Sequence, residues 1–410
     1  MLPFPRDPLP DSSLALLAQG YDYTLRRYAR MATDAFTARL MLAPAMIARG
    51  TDAARMFYTP GRFTRRGALP KTAFWSLQDE GSVMALDRAA HRHRKAMFMA
   101  LFTGTAPRDV ADRFEAGWHA ALPRFRRRGR TVLLYAARAL LTRALTDWAG
   151  TPLSAAEGPE WTHEFGAMVD GAGSVGLRNW RGLTLRRRTE RWARDWIADV
   201  RSGRRSAPPG SPLAVIAAHR DLDGQPLDLV TAGVELINCI RPAVANDRYI
   251  VFAAHALHHF PDAHPDPSDD AALDRFASEV RRFYPFIPMM GGRALAPFAW
   301  RGRRFARGDW LLFDLHGTHR DPRLWPGPDR FDPDRFLDHP PGRYDLVSHG
   351  AGDAHLTHRC PGEAMTQELI KRAARLLLTT SYDVPPQDLS IPLGRIPAIP
   401  KSRFVISFQQ

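Results

Sequence analysis

The chain has 410 residues, 45% of them apolar and 24% charged, with two cysteines and a formal net charge of +14. That apolar content is enough for one large core. Two cysteines exclude a disulfide framework, and no linker or repeat interrupts the chain, so a single unit over residues 1–410 is expected. The positive charge invites a nucleic-acid reading, but arginine supplies all but four of the 57 basic residues. Its clusters, around 124–130 and 186–188, are bounded by helical patterns and read as solvated helix ends, so no nucleic-acid partner is expected.

The opening residues lack the apolar block of a signal peptide. The most apolar N-terminal run, residues 40–48, is far below the roughly 18–20 residues of a membrane span. A soluble, cytoplasmic chain without a transmembrane segment is therefore expected. Apolar residues at helical spacing predict helices over 13–35, 89–102, 107–122, 131–148, 160–173 and 185–201. Residues 203–212 read as a short loop. The longest helix is predicted over about residues 227–259, roughly 50 Å at about 1.5 Å per residue. Strands are expected near 40–47 and 310–315, and near the C-terminus where Gly394, Pro397 and Pro400 punctuate short apolar pairs. The class is mainly α with a small β-sheet region.

Cys360 lies in His358-Arg-Cys-Pro-Gly-Glu363, after a loop punctuated by Gly350 and Gly352 and before a helical pattern. Proline is favoured at a first helical position, which predicts a helix from Pro361 with the thiol at its N-terminus. Helix N–H groups favour thiolate there, and a thiolate is what a haem iron takes as an axial ligand. A lone cysteine is more often a small buried hydrophobe, so other features must decide. Glu279 and Arg282 share a helix face at i, i+3, where an exposed pair contributes only a few tenths of a kcal/mol. Arg335 follows in the Pro-rich stretch Phe331-Asp-Pro-Asp-Arg-Phe336.

Arg241-Pro242 stands mid-way along the longest predicted helix. Proline removes a backbone donor there, and a buried guanidinium is too costly without a carboxylate. Glu235 and Asp247 are each six residues away, about 240° around the helix, so neither shares the face of Arg241. A ligand carboxylate and a protein carboxylate both remain open on this argument alone.

The order Glu-x-x-Arg, Pro-Asp-Arg-Phe and Cys-Pro-Gly before a final helix resembles the cytochrome P450 superfamily. Arg241-Pro242, Ala-Leu-Pro-Lys (68–71), Ala-His-Arg-His-Arg-Lys (90–95) and Glu-Val-Arg-Arg-Phe-Tyr-Pro-Phe (279–286) resemble the bacterial fatty-acid peroxygenases. So do Asp-Pro-Arg-Leu-Trp (321–325) and residues 396–407, and the likeness runs from about Ser13 onward.

The resemblance implies a haem-thiolate fold holding haem b, with Cys360 as the axial iron ligand. It implies hydrogen peroxide as oxidant, no dedicated reductase, and a fatty acid or other carboxylic acid as substrate. Arg241 would fix the substrate carboxylate, which itself acts as acid–base catalyst, and Pro242 would shape the distal pocket. Oxidation is then expected at Cα or Cβ, the C–H bonds nearest the clamp, with decarboxylation to terminal alkenes as an alternative outcome.

His91 and Lys95 at i, i+4, with His358 and Arg65, are the implied haem-propionate partners. Glu279, Arg282 and Arg335 are the implied structural triad. Gln78 and Met84 fall where relatives line the substrate channel. Relatives have Gln or His in place of Met84, and the histidine accompanies alkene formation, so hydroxy acids are expected here. Arg92, His93 and Arg94 are expected to face solvent, and Cys239 to fill the core. Two further readings compete: an oxygen-dependent monooxygenase fed by a reductase, and a non-catalytic haem-binding sensor of acidic ligands. Most monooxygenases of the superfamily carry an acid–threonine pair where this chain has Leu236-Ile-Asn-Cys-Ile-Arg241.

Overall fold

The computed structural model describes residues 4–70, 81–174 and 176–408. Helices dominate, as the periodicity predicts, and the helices Ala106–Arg128, Leu133–Ala149, Leu229–Val244, Asp247–His259, Asp270–Phe283 and Glu363–Thr379 share one apolar core. Phe114, Leu141, Ile237, Phe252 and Leu369 lie within it.

The predicted helix over 13–35 is three pieces: helices Ser13–Gln19 and Asp22–Met31, then a strand from Ala35. Gly20 makes the break at φ 55°, where a side chain would strike the Leu393 carbonyl. Strands β1 (Ala35–Leu40) and β2 (Ala43–Ala48) form a hairpin where one strand was expected, turning through Met41 and Leu42, both at positive φ. The remaining strands are β3 (Phe63–Thr64), β4 (Arg130–Val132), β5 (Met289–Ala294), β6 (Phe298–Trp300), β7 (Arg303–Phe305), β8 (Trp310–Asp314) and β9 (Val405–Ser407). The main sheet runs β1-β2-β8-β5-β3, with β2 and β8 parallel and the other pairs antiparallel. Both halves of the chain thus build it.

The helix predicted over 131–148 starts at Leu133, because residues 130–132 pair with β9 instead. Its first free N–H groups are answered from the same segment: Leu133 N donates to the Phe404 carbonyl at 2.7 Å and Leu134 N to that of Arg403 at 3.3 Å. The helix Leu177–Arg201 is longer than expected and, at 25 residues, exceeds either half of the predicted long helix.

That long helix is two, Leu229–Val244 and Asp247–His259, joined by a tight turn at Ala245-Asn246. Pro242 has no N–H to give the preceding turn. Asn246 then loads the Ala243 carbonyl with both its backbone N (3.1 Å) and its Nδ2 (2.8 Å). Buried ion pairs pin the bend: Arg138 Nε donates to Asp247 Oδ2 at 2.6 Å and Arg248 Nη1 to Asp247 Oδ1 at 2.9 Å. Asp170 accepts from both arginines as well.

Glu279 and Arg282 are fully buried, not an exposed pair. Arg282 donates to Glu279 twice, at 2.7 and 2.6 Å, and Arg335 Nε reaches the same carboxylate at 3.2 Å. Arg282 also binds the carbonyls of His319 (3.0 Å), Pro328 (2.9 Å) and Arg330 (3.1 Å). The pair therefore ties the meander, residues 326–336, to the helix Asp270–Phe283. Arg282→Met would strand a buried carboxylate and release three carbonyls, at an expected cost of about 3–5 kcal/mol in urea unfolding. A loss below about 1 kcal/mol would match a surface pair instead.

Candidate active site

Cys360 sits at the end of a tight loop. Gly350 and Gly352 adopt φ 92° and 80°, and a Cβ on Gly350 would lie 2.9 Å from the Tyr58 hydroxyl and 3.1 Å from the Arg359 Cα. The Cys360 N–H donates to the His349 carbonyl at 2.8 Å. The following helix begins at Glu363 with Gly362 as its N-cap, two residues later than predicted. The thiol is thus just outside the helix end, and burial pushes it up despite the nearby charges of Lys95 and Arg281. Burial therefore opposes the thiolate that a helix end favours, and a bound haem iron would supply the charge that stabilises it.

A clamp holds this loop in shape. Glu363 accepts from Arg359 Nε at 2.6 Å and from Arg281 Nη2, while Arg359 Nη1 reaches the Gly352 carbonyl at 3.1 Å. Arg281 gave no sequence signal beyond its place in Glu279-Val-Arg-Arg282, yet it is buried and also bonds Gln367 at 2.9 Å.

Arg65, His91 and His358 converge. The imidazoles of His91 and His358 lie 4.0 Å apart, and all three residues line one pocket with Phe57 and Tyr58. Arg65 is buried, stacked 4.1 Å over Phe57, with Nη1 on the Gly291 carbonyl at 2.9 Å. Among the described residues, Arg65 Nε, His358 Nδ1 and the Tyr58 hydroxyl have no hydrogen-bond partner. Burial, with the charges of Lys95 and Arg65, holds His91 at about 4. Crowded donors and a buried cation facing one pocket fit the carboxylates of a haem.

Lys95 is buried rather than on the surface, and its Nζ bonds the Arg359 carbonyl, so it braces the cysteine loop directly. Burial lowers its ammonium to about 8. His93 is half-buried, its Nε2 2.7 Å from the Arg220 carbonyl, and Arg92 is exposed.

Arg94 is buried, against expectation. Its Nη2 takes both Asp221 oxygens at 2.7 Å, and Nη1 takes Glu235 at 2.9 Å. Glu235 further accepts from Asn238 (3.0 Å) and from the Val83 N–H (2.7 Å). Both acids nearest Arg241 in sequence are therefore committed elsewhere, Glu235 to Arg94 and Asp247 to Arg138 and Arg248. Arg241 is buried, and burial together with the Arg186 guanidinium lowers it to about 9, still a cation at neutral pH. Cys239 is buried in the core beside it.

Met84 is half-buried on the turn Val83–Ala85, which the Val83–Glu235 bond fastens to the helix carrying Arg241. Gln78 lies outside the described residues.

A buried thiol on a tight glycine-turned loop, the Glu279–Arg282–Arg335 cluster and a broken long helix fit a haem-thiolate protein. The family described as Cytochrome P450 matches residues 271–387. Cytochrome P450SP alpha (CYP152B1) in complex with (R)-ibuprophen is 39% identical with a TM-score of 0.94, over 97% of this chain and 98% of that one. Cytochrome P450EX alpha (CYP152N1) with myristic acid is 33% identical at 0.94, over 99% of each chain. A variant of cytochrome P450 OleT in complex with arachidonic acid is 31% identical at 0.95, over 99% and 98%. Curated relatives match over shorter stretches. Human (Homo sapiens) cytochrome P450 4A11 is 29% identical over 29% of this chain and 22% of its own length. Putative cytochrome P450 132 of Mycobacterium tuberculosis is 38% identical over 16% and 14%. The matched stretch thus spans less than a quarter of these two curated relatives.

The chain belongs to the cytochrome P450 superfamily and, by full-length likeness above 30% identity, to its CYP152 family. Haem b is the prosthetic group of that fold. No helix among the described residues is long and apolar enough to cross a membrane.

Burial raises the Glu363 carboxyl, but Arg281 and Arg359 outweigh it and hold it at about 2 against its ordinary 4.5. The clamp therefore stabilises the fold above pH 4.5, and its contribution is lost as pH falls towards 2, up to about 3 kcal/mol. Unfolding free energy measured across that window should fall in the wild type and flatten in Glu363→Gln. Parallel profiles would show that the clamp carries no such linkage.

Proposed function

We propose that this protein is a hydrogen-peroxide-dependent fatty-acid peroxygenase that hydroxylates its substrate at Cα or Cβ. The observation that carries the reading is Arg241-Pro242, a buried guanidinium beside a proline just before the break between the helices Leu229–Val244 and Asp247–His259. The relatives solved with ibuprophen, myristic acid and arachidonic acid each hold a carboxylic acid, which supports an acid as the natural partner of that guanidinium.

Cys360 would supply the thiolate ligand of the haem iron, and Arg65, His91 and His358 would hold the propionates, while Lys95 braces the loop through the Arg359 carbonyl. The bound haem supplies the iron at which the peroxide O–O bond breaks, helped by electron density from the thiolate. Arg241 presents a planar fork that grips a carboxylate in a bidentate, charge-assisted contact. Pro242, having no N–H, interrupts the helix at this point and so shapes the distal pocket. The gripped carboxylate takes a proton from one peroxide oxygen and returns it to the other, so no protein acid is required. Tethering by the headgroup leaves Cα and Cβ nearest the oxidant. Peroxide brings the oxidising equivalents, so no reductase takes part. Two free cysteines support a cytoplasmic location.

Arg241→Ala should keep its haem and lose peroxide-driven fatty-acid oxidation, at a cost of about 2–5 kcal/mol in kcat/KM. Free acids should also turn over far faster than their methyl esters, and equal rates would contradict the clamp. An oxygen-dependent enzyme would instead need a reductase for any turnover, and a sensor would show none.

Methionine is apolar and can neither donate a proton nor hold water firmly, so Met84 favours hydroxy acids over loss of carbon dioxide. Product analysis by mass spectrometry should find 2- or 3-hydroxy acids dominant, with Met84→His raising the alkene share. A dominant alkene in the wild type would overturn this assignment of Met84.

A further inference from the structure

The turn Val83–Ala85, which carries Met84, is gripped at both ends by residues of other segments. Val83 N–H donates to Glu235 Oε1 at 2.7 Å, and the Ala85 carbonyl accepts from Arg66 Nε. A third contact precedes the turn. A Cβ on Gly81 would lie 2.7 Å from Thr231 Oγ1, so the chain runs against the helix Leu229–Val244 with no room for a side chain. Thr231, Glu235 and Arg241 all belong to that helix. Glu235 and Arg241 are six residues apart, about 9 Å along its axis. Met84 and the guanidinium are therefore placed from one rigid element.

Glu235 is itself fixed. It is fully buried, its Oε1 also takes Arg94 Nη1 at 2.9 Å, and its Oε2 takes Asn238 at 3.0 Å. Arg94 reaches it from the helix Arg88–Phe102, which follows the turn in the chain. On its other side Arg94 Nη2 is held by both oxygens of Asp221 at 2.7 Å. The loop bearing Asp221 is pinned to the same helix through the Arg220 carbonyl, 2.7 Å from His93 Nε2. A single backbone N–H could be held by an uncharged acceptor, without the cost of burying a carboxylate. What the ion pair adds is an acceptor that cannot turn away, because both its oxygens are engaged and its bonds are charge-assisted.

We propose that Glu235, held by Arg94, is a specificity-determining positioning residue: it sets where the Met84 turn stands relative to Arg241, and with it the carbon that a clamped fatty acid presents for oxidation. Glu235 acts through the turn and takes no part in the chemistry. The proposal rests on the peroxygenase reading and deepens it.

The test compares variants of the full-length haem-loaded protein, with folding checked by circular dichroism. Glu235→Ala should keep its haem and shift the ratio of 2- to 3-hydroxy acid products by about threefold or more, a coupling of ordinary size for residues in contact. Glu235→Gln retains a carbonyl acceptor and should stay near the wild-type ratio. Gly81→Ala changes an exposed position and should move the ratio by pushing the turn off Thr231, and adding Thr231→Ala should restore it. In a Met84→Ala background, Glu235→Ala should produce no further shift. Amide exchange over residues 81–87, read by mass spectrometry without substrate or peroxide, should quicken in Glu235→Ala and Gly81→Ala but not in Glu235→Gln. An unchanged ratio in folded Glu235→Ala or Gly81→Ala, an equal shift in Glu235→Gln, or additive shifts with Met84→Ala would each overturn the proposal. If Glu235→Ala does not fold, Gly81→Ala and its rescue by Thr231→Ala decide the matter. If the wild type forms no product with peroxide, the peroxygenase reading fails, and the exchange data alone decide whether Glu235 positions the turn: unchanged exchange overturns it.

Discussion

Keeping a guanidinium charged inside an apolar helix is the constraint around which this molecule is arranged. Arg241 stands beside Pro242 just before the bend, and the acids flanking that bend hold other cations: Glu235 holds Arg94, while Asp247 and Asp170 hold Arg138 and Arg248. Burying these ions costs several kcal/mol each unless they are paired and hydrogen-bonded. Each of these acids is paired at short range, so the ion pairs hold the two helices at the bend beside Arg241.

On the opposite side of the haem-thiolate site, the cysteine loop uses the same physics for a different end. Lys95 and Arg359 grip backbone carbonyls of the loop, and Arg281 and Arg359 share Glu363. These contacts fix the position of the sulfur, and the charges of Lys95 and Arg281 offset only part of the burial that raises its proton affinity.

Much of this was legible in the sequence because short motifs carry local physics. Glu279, Arg282 and Arg335 were recognisable by spacing and order, and Cys360 by the glycine-rich loop before an apolar helix. Arg241-Pro242 stood out as a charge and a helix breaker where neither belongs. What escaped depended on contacts distant in sequence. The helix over 13–35 breaks at Gly20 because residue 393 packs there. The long helix divides at Ala245-Asn246, beyond the proline, where an asparagine side chain and the Arg138 contact decide the geometry. Arg94 looked like one of three solvent-facing residues in a run, with Arg92 and His93, and only the approach of Asp221 and Glu235 buries it.

The pairing of β4 with β9 has a consequence for how the chain reaches this state. The first turn of the helix Leu133–Ala149 is closed by carbonyls about 270 positions further along, and β2 lies beside β8 across a similar separation. Contacts of such sequence span are slow to form, because loop closure must precede any gain from the contact. During synthesis, the helix at the centre of the core waits with its opening N–H groups unanswered until residues 403–407 leave the ribosome. Native consolidation is therefore a late, concerted step, and the interval before it is when exposed apolar helices are most open to chaperones and to aggregation.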